Sequence, residues 1–178
     1  ASRDHTPSHK DFIPGSGGIF RDLHVHDFDL VRWLTGSEIA TVFASKQVRE
    51  YQDYAEFDDA DMSAISVTTV SGVQVVITGA RHDAVGHDVR LEAFGSKDSV
   101  SAGLNSRTPL RAMEGDLALN TNPYTGFVDR FRDAFRHETQ SFVSVTAGEI
   151  ENPTPPDSAL ESLRAAIACE ESIRTQRA

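Results

Sequence analysis

The chain holds a single cysteine, Cys169, in 178 residues. One thiol cannot close an internal disulfide, so the fold rests on packing, and a reducing cytoplasm is the expected setting. Basic residues are scarce: 17 Lys and Arg stand against 27 Asp and Glu, for a net charge of −10. Such a surface repels phosphate backbones, and nucleic acid is excluded as an expected partner. No apolar run approaches the roughly 20 residues of a membrane-spanning helix, and no secretory leader is visible, so no membrane partner is expected. Ala1-Ser2-Arg3-Asp4 shows no starting methionine and no obvious first element, which reads as a chain whose upstream part is missing.

What is present is ordinary for one globular domain: 39% hydrophobic and 25% charged residues, enough apolar material for a core. Residues 1–16 are polar and rich in turn formers. Ser16 is a candidate N-cap for a helix that starts at Gly17 or Gly18 and runs to Thr35, where Gly36 supplies the left-handed C-terminal position. At about 100° per residue, Ile19, Leu23, Leu30 and Leu34 cluster on one side, flanked by Phe20, Val31 and Trp33. Phe28 falls farther round. Asp22, His26 and Asp29, at spacings of four and three, form a polar strip on one border of that stripe. A strip where core meets solvent is partly desolvated and still within reach of a ligand. A histidine titrates near neutral pH, and flanking carboxylates orient its ring, so the strip is the chain's densest concentration of proton-transfer chemistry.

Thr41–Val48 reads as a strand. Residues 50–61 are strongly acidic and read as a solvated loop, since their acids lack the spacing and central glycine of a calcium loop. Met62–Val70 and Val73–Thr78, joined through Ser71-Gly72, form a hairpin. Val89–Phe94 and Ser99–Ala102 form a second. Residues 104–122 are irregular. Pro123–Val145 is helical, with Phe127, Phe131, Phe135 and Phe142 along one side. After the Asn152–Pro156 connector, Asp157 or Ser158 caps a last helix, Ala159–Thr175, in which Cys169 is a small buried hydrophobe. The order predicts an α+β fold with a largely antiparallel sheet.

Ser16–Asp29, followed by Arg32-Trp33-Leu34-Thr35-Gly36, resembles the catalytic helix of the Gfo/Idh/MocA oxidoreductases, which include inositol dehydrogenases. Ser2-Arg3-Asp4 is similar to the segment that ends the preceding strand in that family. Arg90–Ser96 resembles a later strand and turn, and Phe127–Phe142 and Pro156–Ser172 the closing helices. The resemblance implies an open antiparallel or mixed sheet with helices on one face, of the GAPDH-like C-terminal domain type. It implies that residues 1–178 are one C-terminal domain for substrate binding and oligomerisation, without the family's N-terminal Rossmann domain. Neither a Gly-x-Gly-x-x-Gly loop nor the family's Glu-Lys-Pro motif occurs.

Three further implications follow from the resemblance. His26 is the general acid/base and Asp22 binds or polarises the substrate hydroxyl, while Arg3, His24 and Asp29 are weaker candidates for the substrate cleft. The cofactor is NAD or NADP, bound mainly by the absent domain, and the substrate is a polyol or sugar. The chain oligomerises with copies of itself through the open sheet face, and alone it is inactive. Two alternatives stand beside this reading. His24-x-His26 also occurs in zinc amidohydrolases, with His82, His87 and His137 as possible further ligands. That fold typically needs about 250 residues, and the chain after His26 continues as helix. The second alternative is a non-catalytic sugar-binding or assembly module.

Overall fold

The computed structural model describes residues 1–110 and 122–178. Within the stretch expected to be irregular, residues 111–121 lie outside the described residues. A five-stranded sheet carries the fold. Its strands are β1 (Ser2–Arg3), β2 (Ile39–Gln47), β3 (Met62–Thr69), β4 (Gln74–Ala80) and β5 (Asp88–Val89), in spatial order β2-β3-β4-β1-β5. β1 runs parallel to β4, and the other neighbours are antiparallel. β6 (Leu91–Phe94) and β7 (Ser99–Ala102) pair separately as the second expected hairpin. Gly72, at φ 86°, takes the left-handed turn position between β3 and β4 that a side chain disfavours.

The helices are α1 (Ile13–Ser16), α2 (Gly18–Asp22), α3 (His24–Thr35), α4 (Phe127–Arg130), α5 (Arg132–Thr146) and α6 (Pro156–Thr175). α6 starts earlier than expected, with Pro156 in its first turn, where a missing N–H costs nothing. α6 packs on β2, and α3 packs on α6. Val42, Ala44, Ile65, Val67 and Ile77 supply the sheet side of the core, Phe20, Phe28 and Val31 the α2–α3 side, and Ala165, Ala166 and Cys169 the α6 side. Strict alternation along β3, with Ser63, Ile65, Val67 and Thr69 buried, sends every other side chain to the opposite, uncovered face.

Two expectations about the first long helix are corrected. The continuous helix expected from Gly17 or Gly18 to Thr35 is two pieces, α2 and α3, separated at Leu23. A further short helix, α1, precedes them, and Gly17, at φ 83°, separates α1 from α2. Leu23 stays right-handed at φ −96° and ψ −55°, so the chain direction holds across its junction. The core-facing side of α3 is also not the one expected. His24, Asp27, Phe28 and Val31 are buried, while Trp33 is 77% exposed and Leu34 half-exposed. An angular count that treats His24 and Asp27 as outward-facing polar residues rotates the apparent stripe. In the fold they pair and point inward. His26 therefore lies roughly opposite the buried side of α3, while Asp22 and Asp29 fall at contacts with other elements.

The acidic stretch is likewise more ordered than a solvated loop. Gln52–Phe57 winds into a 3₁₀ turn, and Asp59 and Asp61 are buried. Asp61 accepts backbone N–H bonds from Arg49, Glu50 and Tyr51 at 2.8, 2.7 and 2.9 Å.

Candidate active site

β1 and β4 run side by side in the same direction, and the chain leaving each brings Asp4 and Arg81 together beside the end of α2. Asp4 N–H bonds the Ala80 carbonyl at 3.0 Å, and Arg81 N–H bonds the Asp61 carbonyl at 2.8 Å. Arg81 Nη1 donates to Asp22 Oδ2, and Arg81 Nη2 lies 3.6 Å from Asp59 Oδ2. Asp59 Oδ1 accepts the Ile19 N–H at 2.8 Å, which ties the acidic segment to the first turn of α2. Burial pushes the Asp4 carboxyl above its ordinary range, against the pull of Arg81. His87 Nδ1 is 3.7 Å from Asp4 Oδ1, and burial, aided by Arg130, pushes this imidazole below its ordinary value. The edge of His87 meets Phe131 at 6.2 Å between ring centroids.

Of the residues singled out in sequence, Asp22 is half-buried and bound to Arg81. His26 is exposed and makes no hydrogen bond or ion pair among the described residues. The two sit on either side of Leu23. Asp29 turns instead to the helix contact, where its Oδ1 accepts from Ser158 and Ser162 of α6 at 3.4 Å and lies 3.6 Å from Arg32. Arg3 pairs with Asp83 at 3.3 Å and with Asp88 at 3.9 Å.

His24 is fully buried at 0% exposure, away from any solvent-facing cleft. Its Nδ1 is 2.8 Å from Asp27 Oδ2 and its Nε2 is 2.6 Å from Ser63 Oγ, while Ser2 donates to Asp27 Oδ1 at 2.7 Å. Both ring nitrogens are thus engaged, and a zinc ion bound through His24-x-His26 has no free donor on His24. Among the described residues, no group of three or more His, Cys, Asp or Glu is arranged to hold a metal ion.

Sequence reasoning missed Arg81 and Asp4. Neither carries a local signal. Arg81 follows a strand and meets Asp22 across 59 positions of sequence. Its one visible oddity is a lone arginine directly after an apolar strand.

The geometry can be set beside known proteins. The chain is 31% identical over 97% of its length to an uncharacterized oxidoreductase, YrbE, of Bacillus subtilis, of which it covers 50%. It is 31% identical over 99% of its length to an inositol 2-dehydrogenase of Rhizobium meliloti, of which it covers 53%. It superposes on the crystal structure of a myo-inositol dehydrogenase from Corynebacterium glutamicum with a TM-score of 0.87 at 33% identity, covering 99% of this chain and 53% of that one. The chain therefore spans about half the length of the curated relatives it matches. Residues 2–101, more than half of the chain, match the GFO/IDH/MocA C-terminal domain, and the chain belongs to that family.

Proposed function

We propose that this chain is the substrate-binding and catalytic half of an NAD(P)-dependent oxidoreductase that acts on the CH–OH group of a polyol or sugar of the inositol kind. One observation carries the reading: His26, exposed and without a hydrogen bond or ion pair among the described residues, follows by four positions a half-buried carboxylate, Asp22, that Arg81 holds from the interior. Relatives about twice as long, named as inositol dehydrogenases, support a further domain in the enzyme that carries this chain.

The described residues do not fit a dinucleotide. β1 and β4 form the one parallel pair among them, and no glycine-rich strand–helix turn follows either strand. Bound elsewhere, the nicotinamide would accept the hydride. The chain's own part is the proton: His26 takes it from the reacting hydroxyl, while Asp22 accepts a hydrogen bond from a neighbouring substrate hydroxyl and so orients the reacting carbon.

The exposed face of the sheet supports self-association. Phe43, Ser66 and Val76 lie in register across β2, β3 and β4, as do Ser45, Ala64 and Thr78. No side chain on this uncovered face of the three strands carries a charge. We propose a homo-oligomer built through it. No helix among the described residues is long and apolar enough to cross a membrane. A chain with one cysteine, free and buried, fits the cytoplasmic setting proposed for it.

The test is reduction of NAD+ or NADP+ by the enzyme that carries this domain, across a panel of inositols, other polyols and sugars. Turnover with at least one cyclic polyol is expected. Failure with every polyol and sugar, in a protein that binds the nicotinamide, contradicts the reading.

A further inference from the structure

Arg81 is 1% exposed, the largest fully buried side chain among the described residues. A guanidinium keeps its charge in proteins, so a buried arginine must be neutralised where it stands. Asp22 and Asp59 do this, and the Tyr54 ring centroid lies 5.9 Å from the guanidinium carbon. Through these partners one side chain holds α2 by both ends: by Asp22, its last residue, and by Asp59, which caps the Ile19 N–H.

The pairing is one-sided. Arg81 takes Asp22 Oδ2, and Asp22 Oδ1 accepts no hydrogen bond from the described residues. The Asp22 side chain keeps 28% of its surface exposed, against 2% for Arg81. One carboxylate oxygen is thus clamped from the protein interior while the other is left for a ligand. The clamping group is itself out of a ligand's reach.

We propose that Arg81 is a positioning residue for the reaction, acting through Asp22. It fixes the carboxylate in the orientation that presents Oδ1 to the substrate hydroxyl beside the reacting one, and it touches no substrate itself. A loosely held carboxylate would bind the same hydroxyl in several poses, few of them productive, and such misplacement lowers turnover more than binding. The proposal rests on the reading of Asp22 and His26 as the reacting pair.

The test is a double-mutant cycle in the enzyme that carries this domain, with Arg81→Met, Asp22→Asn and the two combined. Arg81→Met is expected to lower kcat about 100-fold while KM for the nicotinamide stays within about 2-fold. In the Asp22→Asn background the same change should cost less than about 3-fold, because the group it positions is gone. Arg81→Lys, which keeps the buried charge without the fork, should fall between wild type and Arg81→Met. Should Arg81→Met fail to fold, the cycle runs with Arg81→Lys and the same non-additivity is required. An equal loss with and without Asp22 shows a merely structural arginine and overturns the proposal. Near-wild-type turnover of Asp22→Asn alone overturns the reading of the site, and the proposal with it.

Discussion

His24 Nδ1 lies 2.8 Å from Asp27 Oδ2 in the interior, under Gly79 of the neighbouring sheet. This pair decides which side of α3 is the inside. Two groups that would each be costly to bury alone satisfy one another, with Ser2 and Ser63 closing the remaining hydrogen bonds. The consequence reaches the site: with His24 facing the sheet, His26 two residues later faces away from it.

The fit is tight enough to test. A Cβ at Gly79 would collide with His24 Cε1 and stand 2.5 Å from Nε2, and Asp27 and Ser63 hold the imidazole where it is. Gly79→Ala should destabilise the fold by about 1–3 kcal/mol in a denaturant titration. His24→Ala should cost about 3–5 kcal/mol by stranding Asp27. The double variant should be more stable than the sum of the two losses implies, because the clash disappears with the ring. Simple additivity would contradict the packing described.

Much of the fold was legible beforehand, for reasons that the same residues explain. The β3–β4 hairpin announces itself through Val-Ile-Thr alternation around Ser71-Gly72, and Gly36 ends α3 at φ 60°. These are local signals. His24, Asp27, Asp59 and Asp61 misled because a polar letter reads as a solvated one, and only tertiary partners make its burial affordable. Arg81 was invisible for the same reason, its partner Asp22 lying far away in sequence. The strip of Asp22, His26 and Asp29 was readable as a pattern. That Asp29 serves the α3–α6 contact was not, because Ser158 and Ser162 arrive from the other end of the chain.

Asp61 offers a pH test. Burial by itself would raise its carboxyl, but the backbone N–H donors of Tyr51, Glu50 and Arg49, with its own N–H, together outweigh it, and the net shift is downward from 3.8. A depressed pKa in the folded state contributes stability that is present above the unfolded value and lost as pH falls through the folded one. Asp61→Asn should lower Tm at neutral pH, at a cost of about 2 kcal/mol, and should flatten the acid limb of the stability profile. An unchanged acid limb would show that another carboxylate governs it.

Cys169 gives the opposite sign. Burial pushes its thiol from 9.0 up to about 12. A raised pKa contributes stability that is fully present below about 9 and lost as pH rises toward about 12. A disulfide-exchange reagent at mildly alkaline pH should leave the native protein unmodified and react with one thiol after unfolding. Prompt reaction of the folded protein would place Cys169 outside the core.

The uncharged sheet face yields a prediction about assembly. Val76→Lys puts an ammonium at a position 76% exposed in the isolated chain, in register with Ser66 and Phe43. Light scattering should show an oligomer for the parent and a smaller species for the variant, with the fold intact by circular dichroism. A parent that is monomeric at micromolar concentration would contradict assembly through this face.

The central claim is that His26 moves the proton. The most direct measurement is steady-state turnover of His26→Ala in the enzyme that carries this domain, alongside its affinity for the nicotinamide. General acid–base catalysis by a positioned side chain contributes about 10²–10⁴-fold, so kcat should fall by that factor while nicotinamide affinity is unchanged. Turnover within a few-fold of the parent would contradict the account.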